Sequence, residues 1–206
     1  WLVTSSPAFV TNHFASQSPP PVMLVENKFF APDLIETGRN PVLAGDVQPI
    51  RIGWFGALRC SKSLAALQAL TEAFDGGIEV TLRGRPALTE FDDFHGTVSA
   101  ARNLDYGGAY AYPDDLAGIY SAIHFVWAVD LFEEGQNSNW LLPNRLYEGC
   151  LNGAIPIALR GTETAAFIAR LGIGVVVPDI KRDTLIALFS GMTPERLHTL
   201  AEAVAR

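Results

Sequence analysis

The feature that most constrains the fold is a regular alternation of short apolar segments with amphipathic ones, from about residue 50 to the end of the chain. The apolar segments predict strands over residues 50–55, 78–82, 103–106, 124–129, 155–159 and 174–177. The amphipathic segments repeat their apolar residues at helical spacing and predict helices over residues 63–74, 86–94, 113–123, 163–171, 185–189 and 194–204. This order indicates βαβ units with right-handed crossovers. We therefore predict an α/β fold with a doubly wound parallel sheet.

The first 46 residues lack this alternation. Short strands are predicted at residues 1–4 and 22–25, with one short helix between them, and residues 29–49 have the Pro, Gly, Asn and Asp content of a linker. A stretch of 46 residues is well below ordinary domain size. We therefore divide the chain into residues 1–46, the end of a preceding domain plus a linker, and residues 47–206, and we expect it to be a fragment of a longer protein.

Composition excludes several classes of function. The formal charge of −7 argues against nucleic-acid binding, which needs a cationic surface to neutralise phosphates. The two cysteines, Cys60 and Cys150, lack metal-type spacing, so we expect free thiols in a reducing, cytoplasmic compartment. No apolar run approaches the ~20 residues that cross a bilayer.

A helix is predicted between Pro143 and Gly153. Proline suits the first helical turn, where its missing N–H costs nothing, and glycine supplies the left-handed residue that ends many helices. One face of this helix is apolar and should pack on a sheet; it carries Leu146, Tyr147, Cys150 and Leu151. The run of apolar residues 154–159 that follows has the length of a buried strand.

Asn144 and Glu148 share a different face of this helix. Its N-terminus follows a loop of amides and hydroxyls, and free N–H groups at a helix N-terminus attract phosphate. A carboxylate one turn further along can accept two hydrogen bonds from a sugar diol. The pattern thus predicts phosphate at the helix mouth and ribose against Glu148. The alternative is an ordinary surface glutamate.

Ligands of doubly wound sheets bind beyond the carboxyl ends of the strands. There the first loop offers Gly56, which permits a sharp turn, and then Arg59 and Lys62, which could hold a diphosphate. The alternative is a solvated loop with two cations. The dinucleotide fingerprint and the Walker loop are absent, and the second strand ends in Arg83 rather than an acid, which argues against NAD. An NADP site at Arg83 or Arg85 remains open.

Other polar clusters carry weaker signals. Residues 91–95, Phe-Asp-Asp-Phe-His, predict a helix end rather than a metal site, because nothing supplies further ligands. Asp130, Glu133 and Glu134 follow a predicted strand, so they are candidate acid/base groups, acceptors for sugar hydroxyls, or a solvated acidic loop. No Gly-x-Ser-x-Gly elbow supports hydrolase chemistry.

Taken in order, these pieces resemble the nucleotide-sugar-binding, C-terminal domain of retaining GT-B glycosyltransferases, over most of residues 50–206. Residues 53–62 are similar to that family's Gly-Arg-Leu-x-x-x-Lys-Gly segment. Residues 104–125 resemble its next block, and residues 143–157 resemble its Pro-Asn-Lys-x-x-Glu-x-x-x-x-Gly-x-Pro-Val block. The amino-acid sequence of residues 137–148 most resembles that of glycosyltransferases of bacterial exopolysaccharide assembly, of the succinoglycan type.

The resemblance implies a Rossmann-like domain, the C-terminal half of a GT-B fold, that takes a nucleotide-sugar as substrate, a UDP-sugar among the candidates, without metal or cofactor. It implies that Glu148 binds the ribose hydroxyls and that Lys62 and Arg59 bind the diphosphate. The full set of donor-binding residues it implies is Gly56, Arg59, Lys62, Arg83, Gly84, Tyr110, Asn137, Ser138, Asn139, Asn144 and Glu148. The loops around Arg83–Arg85 and residues 108–110 would flank the base, and residues 137–139 would face phosphate or sugar. No catalytic residue is assigned.

Two positions depart from the family pattern. The first acid of its Glu-x7-Glu pair is replaced by Trp140, which leaves the donor-sugar contact unassigned, with Glu134 as a candidate substitute. Ala57 stands where the family has its arginine, and Arg59 is displaced by two residues.

The resemblance also predicts what the chain does. Residues 1–46 would be the remnant of an acceptor-binding domain that receives a saccharide or lipid-linked acceptor, with a peripheral membrane contact for the full-length enzyme. The fragment alone should bind donor and transfer sugar poorly or not at all. Two alternatives remain open: a non-catalytic nucleotide-binding module of the same fold, and an oxidoreductase on a degenerate dinucleotide fold.

Overall fold

The computed structural model describes residues 1–27 and 48–206. Its centre is a six-stranded sheet in which every neighbouring pair is parallel, in the order β5-β4-β3-β6-β7-β8. These strands are β3 (Ile50–Leu58), β4 (Ile78–Pro86), β5 (Leu104–Tyr106), β6 (Phe125–Trp127), β7 (Ile155–Leu159) and β8 (Val175–Val177). The order reverses between β3 and β6, which makes that position the topological switch point. The prediction of a doubly wound parallel sheet is confirmed.

Helices connect the strands in the predicted alternation. They are α2 (Ser61–Phe74), α3 (Phe94–Ala100), α4 (Leu116–Ser121), α5 (Asn137–Trp140), α6 (Asn144–Leu151), α7 (Glu163–Leu171), α8 (Arg182–Ser190) and α9 (Pro194–Val204), with a 3₁₀ turn at Leu88–Glu90. The predicted helices at residues 163–171 and 194–204 coincide with α7 and α9. Both begin at a threonine whose hydroxyl oxygen accepts a backbone N–H, Thr162 from Ala165 and Thr193 from Arg196.

The predicted helix over residues 86–94 is wrong. Strand β4 continues to Pro86, and the helix starts only at Phe94, where Asp93 Oδ1 accepts the N–H of Gly96 at 2.8 Å. Proline is tolerated at the end of β4 because the pairing of β5 with β4 covers only Val80 to Leu82, so the ladder needs no N–H from residue 86 on that side. The acidic cluster at residues 91–95 is accordingly a helix start, not a helix end.

Strands β3 and β4 run further than the sequence predicts. They remain paired through Gly56 opposite Gly84 and on to Leu58 opposite Pro86. Gly56 therefore lies inside a strand rather than in the loop after it. Both glycines have left-handed backbones, with φ of +101° and +132°, and a Cβ on Gly84 would lie 1.9 Å from the Gly56 carbonyl oxygen. Only glycine at residue 84 allows this approach of the two strands.

Apolar residues cover both faces of the sheet. Successive side chains of a strand point to opposite faces, so Trp54 packs with α2 and α8, while Phe55 packs with Tyr120 of α4. A third cluster joins α6 to α7 over β7 and comprises Leu142, Leu146, Ala158, Ala165 and Ile168. Each fully buried leucine, isoleucine or phenylalanine side chain in these clusters contributes about 2 kcal/mol to the stability of the fold. These clusters hold the strand ends and α6 in a fixed arrangement.

The N-terminal residues form a small separate sheet. Strands β1 (Leu2–Thr4) and β2 (Val22–Leu24) are parallel, and between them α1 (Pro7–Phe9) continues into a π-helical and a 3₁₀ segment. The short strands and the helical segment are as predicted; most of the predicted linker at residues 29–49 lies outside the described residues. Within residues 1–27 and 48–206, no helix is long and apolar enough to span a membrane.

Candidate functional site

A cleft of about 720 Å³ lies beyond the carboxyl ends of β3, β4 and β6, at the switch point of the sheet. The N-terminal end of α6 forms one side of it. The N-terminal segment of the chain contributes further lining through Ser5, Phe9 and Asn27. The remaining lining residues come from the sheet and its loops: Phe55, Gly56, Ala57, Arg59, Gly84, Arg85, Ala109, Tyr110, Tyr112, Asp130, Asn137, Leu141, Leu142, Pro143, Asn144, Arg145 and Glu148. This is where ligands bind in doubly wound sheets.

Glu148 lies in the wall of this cleft and is only 6% exposed. It is held there because α6 packs closely on the sheet: a Cβ on Gly149 would be 2.7 Å from Val126 of β6. Its Oε2 accepts a hydrogen bond of 2.9 Å from the hydroxyl of the fully buried Tyr120. Glu148 is therefore not the surface glutamate of the alternative interpretation.

Burial raises the pKa of Glu148, and the Tyr120 hydrogen bond and the nearby Arg145 charge only partly offset that effect. The same burial, together with the Glu148 charge, raises the pKa of Tyr120. The hydroxyl thus stays protonated and donates to the carboxylate, which fixes the orientation of the Glu148 side chain. With Oε2 engaged by Tyr120, Oε1 remains the atom suited to a ligand hydroxyl.

Asp130 is the second buried carboxylate of the cleft. Its Oδ2 lies 3.3 Å from the Arg59 guanidinium and 3.8 Å from that of Arg145. Burial acts to raise its pKa, but the backbone N–H of Phe132, Arg145, the Ser138 hydroxyl and Arg59 outweigh it, so the pKa is lowered and Asp130 is charged.

Arg145 is 7% exposed and lies on the first turn of α6. Its Nη2 donates to the carbonyl oxygen of Val129 at 3.1 Å. Its Nε has no hydrogen-bond partner among the described residues. Burial lowers the pKa of Arg145, against the Asp130 charge, yet an arginine remains cationic under all ordinary conditions. A buried guanidinium in the lining of a cleft is suited to an anionic ligand.

The loop opposite α6 is braced by Arg83. Its Nε and Nη2 donate to the carbonyl oxygens of Gly108 and Ala109 at 3.2 and 3.0 Å, and its guanidinium lies 3.9 Å from Asp115. Tyr110, half-buried on this loop, lines the cleft, and burial raises its pKa. Arg83 therefore shapes the site from behind without lining the cleft, whereas Arg85 lines it.

Most of the predicted donor-binding residues line the cleft together: Gly56, Arg59, Gly84, Tyr110, Asn137, Asn144 and Glu148. Four lie outside its lining. Arg83 braces the loop, Ser138 bonds Asp130, and Asn139 bonds Gly135 N and the Gly161 carbonyl oxygen. Lys62 forms an exposed ion pair with Glu134 in a neighbouring depression. Their predicted contacts with donor remain predictions.

Trp140, which replaces the first acid of the family's Glu-x7-Glu pair, points toward the N-terminal segment. Its ring contacts Phe9 and His13, with centroids 6.0 and 5.9 Å apart, and its carbonyl oxygen accepts the Ser6 hydroxyl. Asn27 Nδ2 donates to Asn144 Oδ1 at 2.7 Å and to the Leu142 carbonyl oxygen at 3.2 Å. Trp140 thus anchors residues 6–13 against the site.

Two functional candidates were missing from the predicted set. In the sequence, Asp130 is one of three acids in a loop, and Arg145 is one residue of the block at residues 143–157. The available signal for Arg145 was its helical spacing, three residues before Glu148, on the side of α6 that turns toward the strand ends. No group of three His, Cys, Asp or Glu suited to a metal occurs within the described ranges.

Comparison with known proteins agrees with this geometry. No protein-family model matches the sequence. The chain is 47% identical, over its whole length, to the succinoglycan biosynthesis protein ExoL of Rhizobium meliloti (strain 1021), of which it spans 52%. A sucrose-phosphate synthase of Thermosynechococcus elongatus superposes with a TM-score of 0.72 at 14% identity, covering 98% of this chain and 52% of that one.

Anabaena HepE, solved with UDP and glucose, superposes with a TM-score of 0.69 at 16% identity, covering 98% of this chain and 57% of that one. WaaG, a glycosyltransferase of lipopolysaccharide biosynthesis, gives 0.66 at 14% identity, with 99% and 56% coverage. The chain has the fold of the GT-B glycosyltransferases. In that GT-B fold, the six-stranded sheet is the Rossmann-like half predicted from the sequence, and the chain spans about half the length of the curated relative.

Proposed function

We propose that this chain binds a nucleoside diphosphate-sugar in the cleft and forms the donor-binding part of a glycosyltransferase. One observation carries the proposal: a buried glutamate, Glu148, lies one turn into a helix whose first turn carries the buried cation Arg145, and both line the cleft at the switch point of the sheet. A carboxylate and a cation three residues apart on one helix suit the ribose diol and the diphosphate of a single ligand.

Each part of such a ligand has a counterpart in the cleft. Glu148 would accept from the ribose hydroxyls, and Arg59, Arg145 and the first N–H groups of α6 would face the diphosphate. The base would lie near Tyr110 and Arg85. HepE, which shares the fold, has been solved with UDP and with UDP-glucose, which supports a UDP-sugar as the first candidate.

The reaction we propose is transfer of the sugar to a saccharide or lipid-linked acceptor during exopolysaccharide assembly, with retention of the anomeric configuration. The similarity to a succinoglycan biosynthesis protein supports the pathway class. The acceptor would bind on the far side of the cleft, in the part of the relative that this chain does not span. The chain by itself would bind donor and transfer sugar poorly.

A second candidate is a nucleotide-binding module without transferase activity. Trp140 favours it, since the residue at the position of the first acid packs on Phe9 and His13. Sugar transfer assayed in a protein of the relative's full length separates this candidate from the first.

The test of the proposal is calorimetric titration with UDP, GDP, ADP, UDP-glucose and NADPH. We expect one nucleoside diphosphate and its sugar to bind and NADPH not to bind, because the dinucleotide fingerprint is absent. The nucleotide that binds identifies the base. Binding of NADPH alone would support an oxidoreductase, and binding of none would contradict a donor site in this chain.

We expect nucleotide affinity to fall at mildly acidic pH. Since burial raises the pKa of Glu148, this carboxylate takes up a proton at a higher pH than an exposed glutamate, and a neutral acid is the weaker acceptor for ribose hydroxyls. Affinity should be constant at neutral pH and decline as pH falls through the raised pKa. Titrations from about pH 8 to about pH 4.5 measure this decline. Affinity that rises on acidification would contradict the assigned role.

A further inference from the structure

The cleft contains a carboxylate that the proposed donor contacts do not use. Asp130 lies between two guanidinium groups, with Oδ2 3.3 Å from Arg59 and 3.8 Å from Arg145. The side chains of Asp130 and Arg145 are 6% and 8% exposed, against 30% for Arg59. One buried acid therefore contacts two cations that come from different elements, the loop after β3 and the first turn of α6.

The orientation of Asp130 is fixed from the other side. Its Oδ1 accepts the backbone N–H of Phe132 and the Ser138 hydroxyl, both at 2.9 Å. The Phe132 ring lies under the Arg59 guanidinium at 4.8 Å, which restricts that flexible side chain further. Both oxygens of Asp130 are thus engaged, and Arg59 is restrained by the Asp130 carboxylate and the Phe132 ring before any ligand arrives.

Counted by themselves, Asp130, Arg59 and Arg145 carry an excess of one positive charge, with the Glu148 carboxylate near Arg145. Two cations share one anion, and Arg145 Nε has no partner within residues 1–27 and 48–206. Lys62, by contrast, is paired singly with Glu134 on the exposed surface. Arg59 and Arg145 both line the cleft, where an anion with several oxygens would contact their guanidinium groups.

We propose that Asp130 is a positioning residue that holds Arg59 and Arg145 in place to bind the diphosphate of the donor. The inference rests on the proposed function, because that function supplies the diphosphate ligand. It assigns the diphosphate contact to the pair Arg59 and Arg145 rather than to Lys62. Ser138 acts through Asp130 by fixing its second oxygen.

The substitution Asp130→Asn distinguishes an effect of charge from an effect of positioning, because the two change the affinity for a diphosphate in opposite directions. Asp130→Asn removes an anion beside the site, so Coulomb attraction for a diphosphate would increase and binding would tighten. If Asp130 acts by positioning, the amide holds two guanidinium groups poorly and binding weakens, roughly tenfold. Whether diphosphate binding tightens or weakens in Asp130→Asn therefore shows which of the two effects, charge or positioning, is larger.

The experiment measures dissociation constants for inorganic pyrophosphate and UDP by calorimetry and for uridine by ligand-observed NMR. In Asp130→Asn we expect pyrophosphate and UDP to weaken roughly tenfold and uridine, which lacks phosphate, to be unchanged. The matched control is Asp179→Asn: Asp179 likewise accepts a backbone N–H and a hydroxyl, from Lys181 and Thr184, but lies outside the cleft. It should bind all three ligands as the parent does.

A second variant covers the case in which Asp130→Asn does not fold. Ser138→Ala keeps the Asp130 charge and removes the hydrogen bond to Asp130, together with the one that Ser138 Oγ accepts from the Glu133 N–H, so it should weaken pyrophosphate binding about threefold. Unchanged or tighter pyrophosphate binding in the variants, or no pyrophosphate binding by the parent protein, would overturn the inference. If pyrophosphate behaves as expected and no nucleotide binds more tightly than pyrophosphate, the proposed function fails and the arginine cluster stands.

Discussion

Glu148→Gln is expected to weaken the binding of the nucleoside diphosphate by about 2 kcal/mol, roughly thirtyfold. Glutamine keeps the shape of the side chain and an acceptor for Tyr120, but it loses the charge that strengthens the hydrogen bonds to a ribose diol. Replacing a carboxylate that is 6% exposed removes the cost of burying its charge, and Arg145 keeps Asp130 as its counter-ion, so the melting temperature should not fall. Calorimetric titration and a thermal melt measure the two quantities on one sample.

Glu163→Gln is the matched control for this variant. Burial raises the pKa of Glu163 as it does that of Glu148, and Glu163 also lies in a helix, but it does not line the cleft. Its substitution should leave the affinity unchanged. Equal losses in the two variants would mean that the effect is not a contact with ribose, and 2′- and 3′-deoxynucleotides, which lack one hydroxyl each, would then bind like the parent nucleotide.

Gly84→Ala has the largest expected effect on stability, a loss of about 4 kcal/mol in the free energy of unfolding. The new Cβ would lie 1.9 Å from the Gly56 carbonyl oxygen, a backbone atom that moves only if β3 and β4 separate. The residue would also adopt φ of +132°, which costs an alanine conformational energy in addition. Urea denaturation measures the loss, and separation of the strands should also weaken nucleotide binding.

Gly76→Ala measures the conformational part of that effect without the steric part. Gly76 also has a left-handed backbone, with φ of +94°, but a Cβ there meets nothing within 4 Å. Its cost should be the conformational energy alone, about 1–2 kcal/mol. If the two variants lose the same amount, the close approach of the strands at Gly56 and Gly84 is not what requires glycine.

The sheet could be predicted from the sequence because its signals are local. Apolar segments of strand length alternate with helical periodicity, and caps such as Thr162 and Thr193 mark where helices start. The helix that carries Glu148 could be placed for the same reason. The far ends of β3 and β4 could not, since their pairing past residue 82 depends on tertiary contacts between Gly56 and Gly84.

The site was predictable in its type and less so in its members. Glu148 and Arg59 follow from their position at strand and helix ends. No regular spacing in the sequence predicts that three pairs of residues lie close together: Ser138 with Asp130, Lys62 with Glu134, and Trp140 with Phe9. Asp130 and Arg145 gain their importance from burial, which a single sequence does not reveal for charged residues.

The N-terminal segment lines one side of the cleft with Ser5, Phe9 and Asn27, and this limits how far the protein can be truncated for binding measurements. A version trimmed to residues 48–206 keeps every strand of the six-stranded sheet and would look complete by its fold. It would expose the Trp140 ring to water, free the Asn144 amide and open the cleft on one side. Any measurement of ligand affinity on so short a version would underestimate the site, so residues 1–27 belong in every preparation.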